Sequence, residues 1–79
     1  MDYYYKMREY SKGVYTYAYS RKTRSLDGLL SYDGETGLVK LKKLCELDKG
    51  LPGAAERAED IFYTLVSEGL PTAMHIDIS

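Results

Sequence analysis

Residues 51–71, LPGAAERAEDIFYTLVSEGLP, decide how the rest of the chain must be arranged. Apolar residues recur at Ala54, Ala58, Ile61 and Leu65, and Ala55, Phe62 and Val66 widen the same stripe. At 100° per residue these positions span an arc of roughly 140°, the signature of a helix with one dry face. Its stop is written plainly. Gly69 suits the left-handed residue after the last turn, Leu70 can fold back on Leu65, and Pro71 forbids continuation. The start has no Ser, Thr, Asp or Asn immediately before the pattern. Pro52 and the early acidic residues therefore place it near residue 53.

An amphipathic helix takes most of its stability from what it packs against, so the remaining residues must supply a second layer. They read as strands. YYYKMREY at 3–10 and VYTYAYS at 14–20 are rich in aromatic and β-branched residues, and Ser11-Lys12-Gly13 between them suggests a hairpin. In the first strand Tyr3, Tyr5 and Met7 share one face, and Tyr4, Lys6, Arg8 and Tyr10 share the other. In the second, Tyr15, Tyr17 and Tyr19 oppose Val14, Thr16 and Ala18.

Residues 21–26, RKTRSL, read as a basic loop ending at the turn-favouring pair Asp27-Gly28. Leu29 to Tyr32 follows as a third strand. Asp33-Gly34-Glu35-Thr36-Gly37 carries the chemistry of a type I turn closed by a left-handed glycine, and it leads into a strand over 38–44. Cys45–Gly50 reads as loop. After the helix, Thr72–Ile78 alternates Met74, Ile76 and Ile78 against Ala73, His75 and Asp77, a half-buried terminal strand.

The order is β-β-β-β-α-β. It predicts a single α+β domain over residues 1–79, with an antiparallel sheet of four to five strands and one helix across one face. The second sheet face is expected to be open. Which neighbour the last strand takes is not written in the sequence.

Seventy-nine residues with one cysteine, Cys45, make a small core without an internal disulfide. Residues 1–24 hold no apolar run long enough for a secretory leader, and no stretch is long enough to span a bilayer. A soluble cytoplasmic domain with no membrane association is the expectation. Net charge is −1, but residues 1–50 carry ten Lys and Arg against seven acids, and residues 51–79 one Arg against five. Tyrosine is over-used: there are nine, seven of them before Ser20, against one Phe and no Trp. Its apolar ring and polar tip suit half-buried sheets and interfaces alike. The Tyr15/Tyr17/Tyr19 stripe either stacks bases or sugars or packs beneath the helix, whose alanines would admit large rings; packing is the commoner use.

No catalytic pattern is present. His75 and Asp77 share a strand face but lack the further ligands of a metal site, and nothing places His75 beside Cys45. Neither a nucleophile elbow nor a phosphate-cradling loop occurs. No cofactor is expected. The leading expectation is a non-catalytic domain that works through an interface, with another protein or with a second copy. Tyr4, Arg8, Tyr10 and Thr16 are its candidate contacts on the open face. The alternative is polyanion or nucleic-acid binding through the basic, Tyr-rich N-terminal hairpin and loop, with Lys6, Arg8, Arg21, Lys22 and Arg24 facing the phosphates.

Overall fold

A computed structural model describes residues 1–78. Five strands, β1 (Asp2–Ser11), β2 (Val14–Arg21), β3 (Gly28–Asp33), β4 (Leu38–Lys43) and β5 (Ala73–Asp77), form one sheet. A 3₁₀ turn at Glu46–Asp48 and one helix, α1 (Ala54–Ser67), lie between β4 and β5. All strand pairs are antiparallel, in the order β4-β3-β2-β1-β5. The first four strands are a meander. The chain then carries α1 over one face and enters the opposite edge of the sheet, so β5 pairs with β1. This is the α+β architecture that the strand and helix patterns predict.

Three local readings need correction. The segment expected as a loop over 45–50 contains the 3₁₀ turn, and Asp48 within it is buried. Arg21 is the last residue of β2 and not the first of a loop. A β-bulge separates Met7 from Glu9: Met7 faces Tyr17, Glu9 faces Thr16, and Arg8 is the extra residue. Beyond that bulge the alternation of β1 inverts.

The helix is anchored by one ring. Phe62 is fully buried and meets Tyr5 and Tyr17 edge-on, with centroids at 5.5 and 5.1 Å, and Tyr32 at 6.4 Å. Edge-to-face contacts of this kind add to the burial of the ring. Ala54, Ala58 and Leu65 complete the buried face, and Ile61 and Val66 pack at its margins. The small alanines do what their positions suggested, since Tyr5 reaches the helix closely enough to donate to the carbonyl of Ala58 at 3.4 Å. The helix has no side-chain cap at its start, where Gly53 stands in the left-handed conformation. At its end Gly69 is left-handed, and the Leu70 amide donates back to Leu65 at 3.2 Å.

Tyr3, Tyr5, Tyr17 and Tyr19 are buried beneath the helix, which resolves the tyrosine stripe in favour of packing. The hydroxyls of Tyr5, Tyr17 and Tyr19 find partners. Tyr17 donates to the Pro71 carbonyl at 2.6 Å, and Tyr19 donates to Asp48 at 3.0 Å while accepting from the Cys45 amide at 3.0 Å. Asp48 also accepts from Arg21 Nε at 2.5 Å, and Arg21 donates further to the Leu47 carbonyl at 2.7 Å. This buried cluster fixes the 3₁₀ turn on the end of β2. Gly28 makes the approach possible: a Cβ there would lie 2.2 Å from the Tyr19 ring.

Two outcomes follow. Phe62→Ala should cost about 3–5 kcal/mol in urea unfolding, whereas Arg8→Ala, in the exposed bulge, should stay within about 0.5 kcal/mol of the parent. Burial also pushes the hydroxyls of Tyr3, Tyr5 and Tyr19 up from the ordinary value of 10.0, and that of Tyr17 up to about 12. Folded values above unfolded ones mean that this contribution to stability is intact below pH 10 and is lost as pH rises beyond it. Unfolding free energy should therefore fall between pH 10 and about 12, with the buried tyrosinates appearing in ultraviolet absorbance only as the chain unfolds.

Candidate interaction surface

The two edges of the sheet differ in kind. At the β4 edge the outward amides are already used. The Leu41 amide donates to the Glu59 carboxylate of α1 at 3.0 Å, and the Val39 amide donates to the Tyr63 hydroxyl at 3.2 Å. Tyr63 in turn donates to the Gly37 carbonyl at 3.2 Å. The strand LVKLKK adds three lysines. A helix that covers the edge and lysines along it are both devices that discourage pairing with another strand.

The β5 edge carries neither. In an antiparallel pair every second residue turns its N–H and C=O toward the partner strand. The Met7 amide donates to the Thr72 carbonyl and the Ile78 amide to the Met1 carbonyl, at 2.8 and 2.7 Å. Together with the register of Tyr3 on Ile76 and Tyr5 on Met74, this turns the backbone of Met74 and Ile76 inward. The backbone groups of Ala73, His75 and Asp77 consequently point away from the sheet. Among the described residues no side chain bonds to them. The strand AMHID contains no lysine and no proline, and no bulge interrupts its pairing with β1.

Side chains continue the contrast. Met74 and Ile76 are half-buried on the helix side, packed against the core from its border. Ile61 lies about 160° round the helix from both Glu59 and Tyr63. It therefore stands on the flank away from β4, and it too is half-buried. On the other face His75 stacks on Tyr4 with centroids 4.6 Å apart and planes 8° from parallel, and its Nε2 lies 2.8 Å from an Asp2 carboxylate oxygen. The Arg24 guanidinium sits 5.1 Å from the Tyr4 ring centre. Tyr4, Lys6, Arg24, Leu26, Ala73 and His75 line a shallow cleft of about 310 Å³ there.

The candidate residues from the sequence are thus divided. Tyr4 and Arg24 come together in the cleft. Thr16 is half-buried on the same face, paired with Glu9 and Ser31. Lys22 is exposed at the loop entry, where its amide donates to the Asp2 carbonyl at 2.8 Å. Arg8 is exposed in the bulge, apart from that cluster. Tyr10 does not stand with Tyr4. The bulge turns it to the helix side, where its ring lies 4.5 Å from that of Tyr15. Arg21 is withdrawn from any polyanion surface, because it is 7% exposed and its guanidinium is engaged by Asp48. Nor is the outer face bare throughout. Ala18 and Ser20 are buried on it, and Ser20 donates to the Thr23 carbonyl of the loop at 2.6 Å.

Glu59 and Tyr63 are not singled out by sequence pattern, since both read as solvent-facing helix residues. Their i, i+4 spacing on one flank is the only signal. His75 acquires its partners only because β5 lies beside β1. Cys45 lies buried on the helix side, and burial pushes its thiol above the ordinary value, so it keeps its proton at neutral pH. His75 stands on the opposite sheet face. Among the described residues no three metal-ligating side chains converge, and no helix is long and apolar enough to cross a membrane. No family model, curated protein or solved structure matches the chain.

Replacing Glu59 with Leu and Tyr63 with Phe together should expose the contrast between the edges. Two amides of β4 lose their acceptors, which should cost about 0.5–1.5 kcal/mol each and speed hydrogen exchange at Val39 and Leu41 while leaving β5 exchange unchanged. Amide-resolved exchange by NMR reads both.

Proposed function

We propose that this chain is a small non-catalytic interaction domain whose working surface is the β5 edge, where it accepts an extended strand from a protein partner. The supporting observation is the asymmetry of the edges: α1 occupies the amides of β4, and β5 keeps three residues' backbone groups turned outward. A strand laid there gains main-chain hydrogen bonds, and alternate side chains reach two different surfaces. One set extends the half-buried row of Met74 and Ile76. The other meets His75, Tyr4 and the cleft.

The size of the domain supports the same reading. A core built on one helix and five short strands gains from additional buried area, and Met74, Ile76 and Ile61 border the place where such area would be added. The buried, protonated Cys45 and the separate location of His75 give no nucleophile and base in one place, which favours binding over chemistry.

Panning a display library of extended peptides against the chain tests this. Enriched peptides should carry apolar residues at alternate positions, and their addition should shift the amide resonances of Ala73, His75 and Asp77. Ala73→Pro removes an outward N–H without taking a bond from β1, so circular dichroism should remain native while binding weakens about tenfold. No enrichment, or shifts confined to β4, overturns the edge assignment. Salt-sensitive shifts at Lys22 and Arg24 on adding single-stranded oligonucleotide, with β5 silent, would replace it with the polyanion alternative.

A further inference from the structure

We infer that the strand accepted at the β5 edge is β5 of a second copy of this chain, paired antiparallel about a twofold axis through His75. The inference rests on the edge assignment and adds the identity of the partner. What points to it is that the edge complements itself, on both faces, in one register.

The outward-facing backbone belongs to Ala73, His75 and Asp77. Only a twofold axis at the middle one pairs all three: His75 with its symmetry mate, and each Ala73 with the Asp77 of the other copy. Moving the axis by two residues leaves one or more of these groups unpaired. With the axis at His75, each Met74 falls opposite the second copy's Ile76. The helix-side row then runs without interruption from Tyr5 through Met74 to the second copy's Ile76 and Tyr3, given the pairing of Tyr5 with Met74 and Tyr3 with Ile76. Two half-buried apolar borders close on each other, and the buried layer becomes continuous across ten strands.

The outer face is complementary in charge. Lys6 pairs with Ala73, and Asp2 pairs with Asp77. In the dimer the row reads Lys6, Ala73, then Asp77 and Asp2 of the second copy. Lys6 and that Asp77 are two strands apart, about 10 Å, with only a methyl group between them. A lysine leaning over an alanine toward an aspartate spans that distance. The symmetry repeats the contact, so each copy donates one lysine and one aspartate. Between the two charged rows lies an aromatic row, Tyr4 and His75 of one copy followed by His75 and Tyr4 of the other, already ordered within each chain by the stack at 4.6 Å. Within each chain Asp77 already lies 3.6 Å from the Met1 ammonium group, and the second copy's Lys6 brings another cation to the same carboxylate.

Sedimentation velocity over a concentration series, joined to amide exchange and a charge swap, tests the inference. The chain should shift from monomer to dimer as concentration rises, with protection gained at Ala73, His75 and Asp77 and none at Val39 or Leu41. Asp77→Lys should weaken the dimer about tenfold, because both lysine–aspartate contacts become repulsive. Adding Lys6→Asp to that variant should restore it to within about threefold of the parent, an outcome that a merely structural role for Asp77 would not give. A strict monomer at millimolar concentration overturns the inference. So does a dimer whose protection lies elsewhere, or one indifferent to the swap. If the monomer still binds extended peptides at β5, the second copy is rejected and the edge assignment stands; if neither binds, both fall.

Discussion

One helix must satisfy two demands at once, and the structure follows from how it meets them. A five-stranded sheet has a face to cover and two edges to protect, and α1 is the one α-helix among the described residues. Phe62 settles it over Tyr5, Tyr17 and Tyr32. With that ring fixed, the 100° step of the helix places Glu59 and Tyr63 over β4 and Ile61 on the other flank. Covering the face and sealing one edge are thus a single act of docking. Its consequence is that, among the described residues, no helix side chain bonds to the outward backbone of the far edge.

The tyrosines show how a small domain of this composition builds an interior. Buried phenols bring large apolar rings but require a partner for every hydroxyl. Here the acceptors lie in the elements that cross over the sheet: the Ala58 carbonyl in α1, the Pro71 carbonyl after it, and Asp48 in the 3₁₀ turn. The rings of Tyr5, Tyr17 and Tyr19 therefore tie their strands to the layer above by a directional bond as well as by packing. Arg21 joins this set as the fourth member on the same side of β2, and its bond to Asp48 satisfies a charge that would otherwise be stranded in the interior.

A basic, tyrosine-rich hairpin suggests a surface for polyanions, and the fold divides its residues between several places. Arg21 is turned inward, Tyr10 is turned to the helix side, and Arg24 lies over Tyr4. Lys6 lines the same cleft, Arg8 lies apart in the bulge, and three lysines lie along β4. What the fold gathers instead is a short bare strand between an apolar border and an aromatic stack.

Local pattern determined much of this protein. The period of the apolar residues in 54–66 specified the helix and its dry face, the glycines of the turns specified the β1–β2 and β3–β4 hairpins, and alternation specified β5. Even the burial of Arg21 was within reach, since it continues the phase of Tyr15, Tyr17 and Tyr19. Three things were decided only in three dimensions. The bulge at Arg8 exists only in the pairing of β1 with β2, and one inserted residue reverses every side chain beyond it. The place of β5 beside β1 depends on where α1 releases the chain, so the stack of Tyr4 on His75 had no signature in either segment alone. The difference between the edges comes from side chains on a helix that reads as an ordinary solvent-facing flank until it is laid against β4. Periodicity records which side of an element is dry, because that is a property of the element. Which backbone groups remain unpaired is a property of the assembled sheet, and no stretch of sequence carries it.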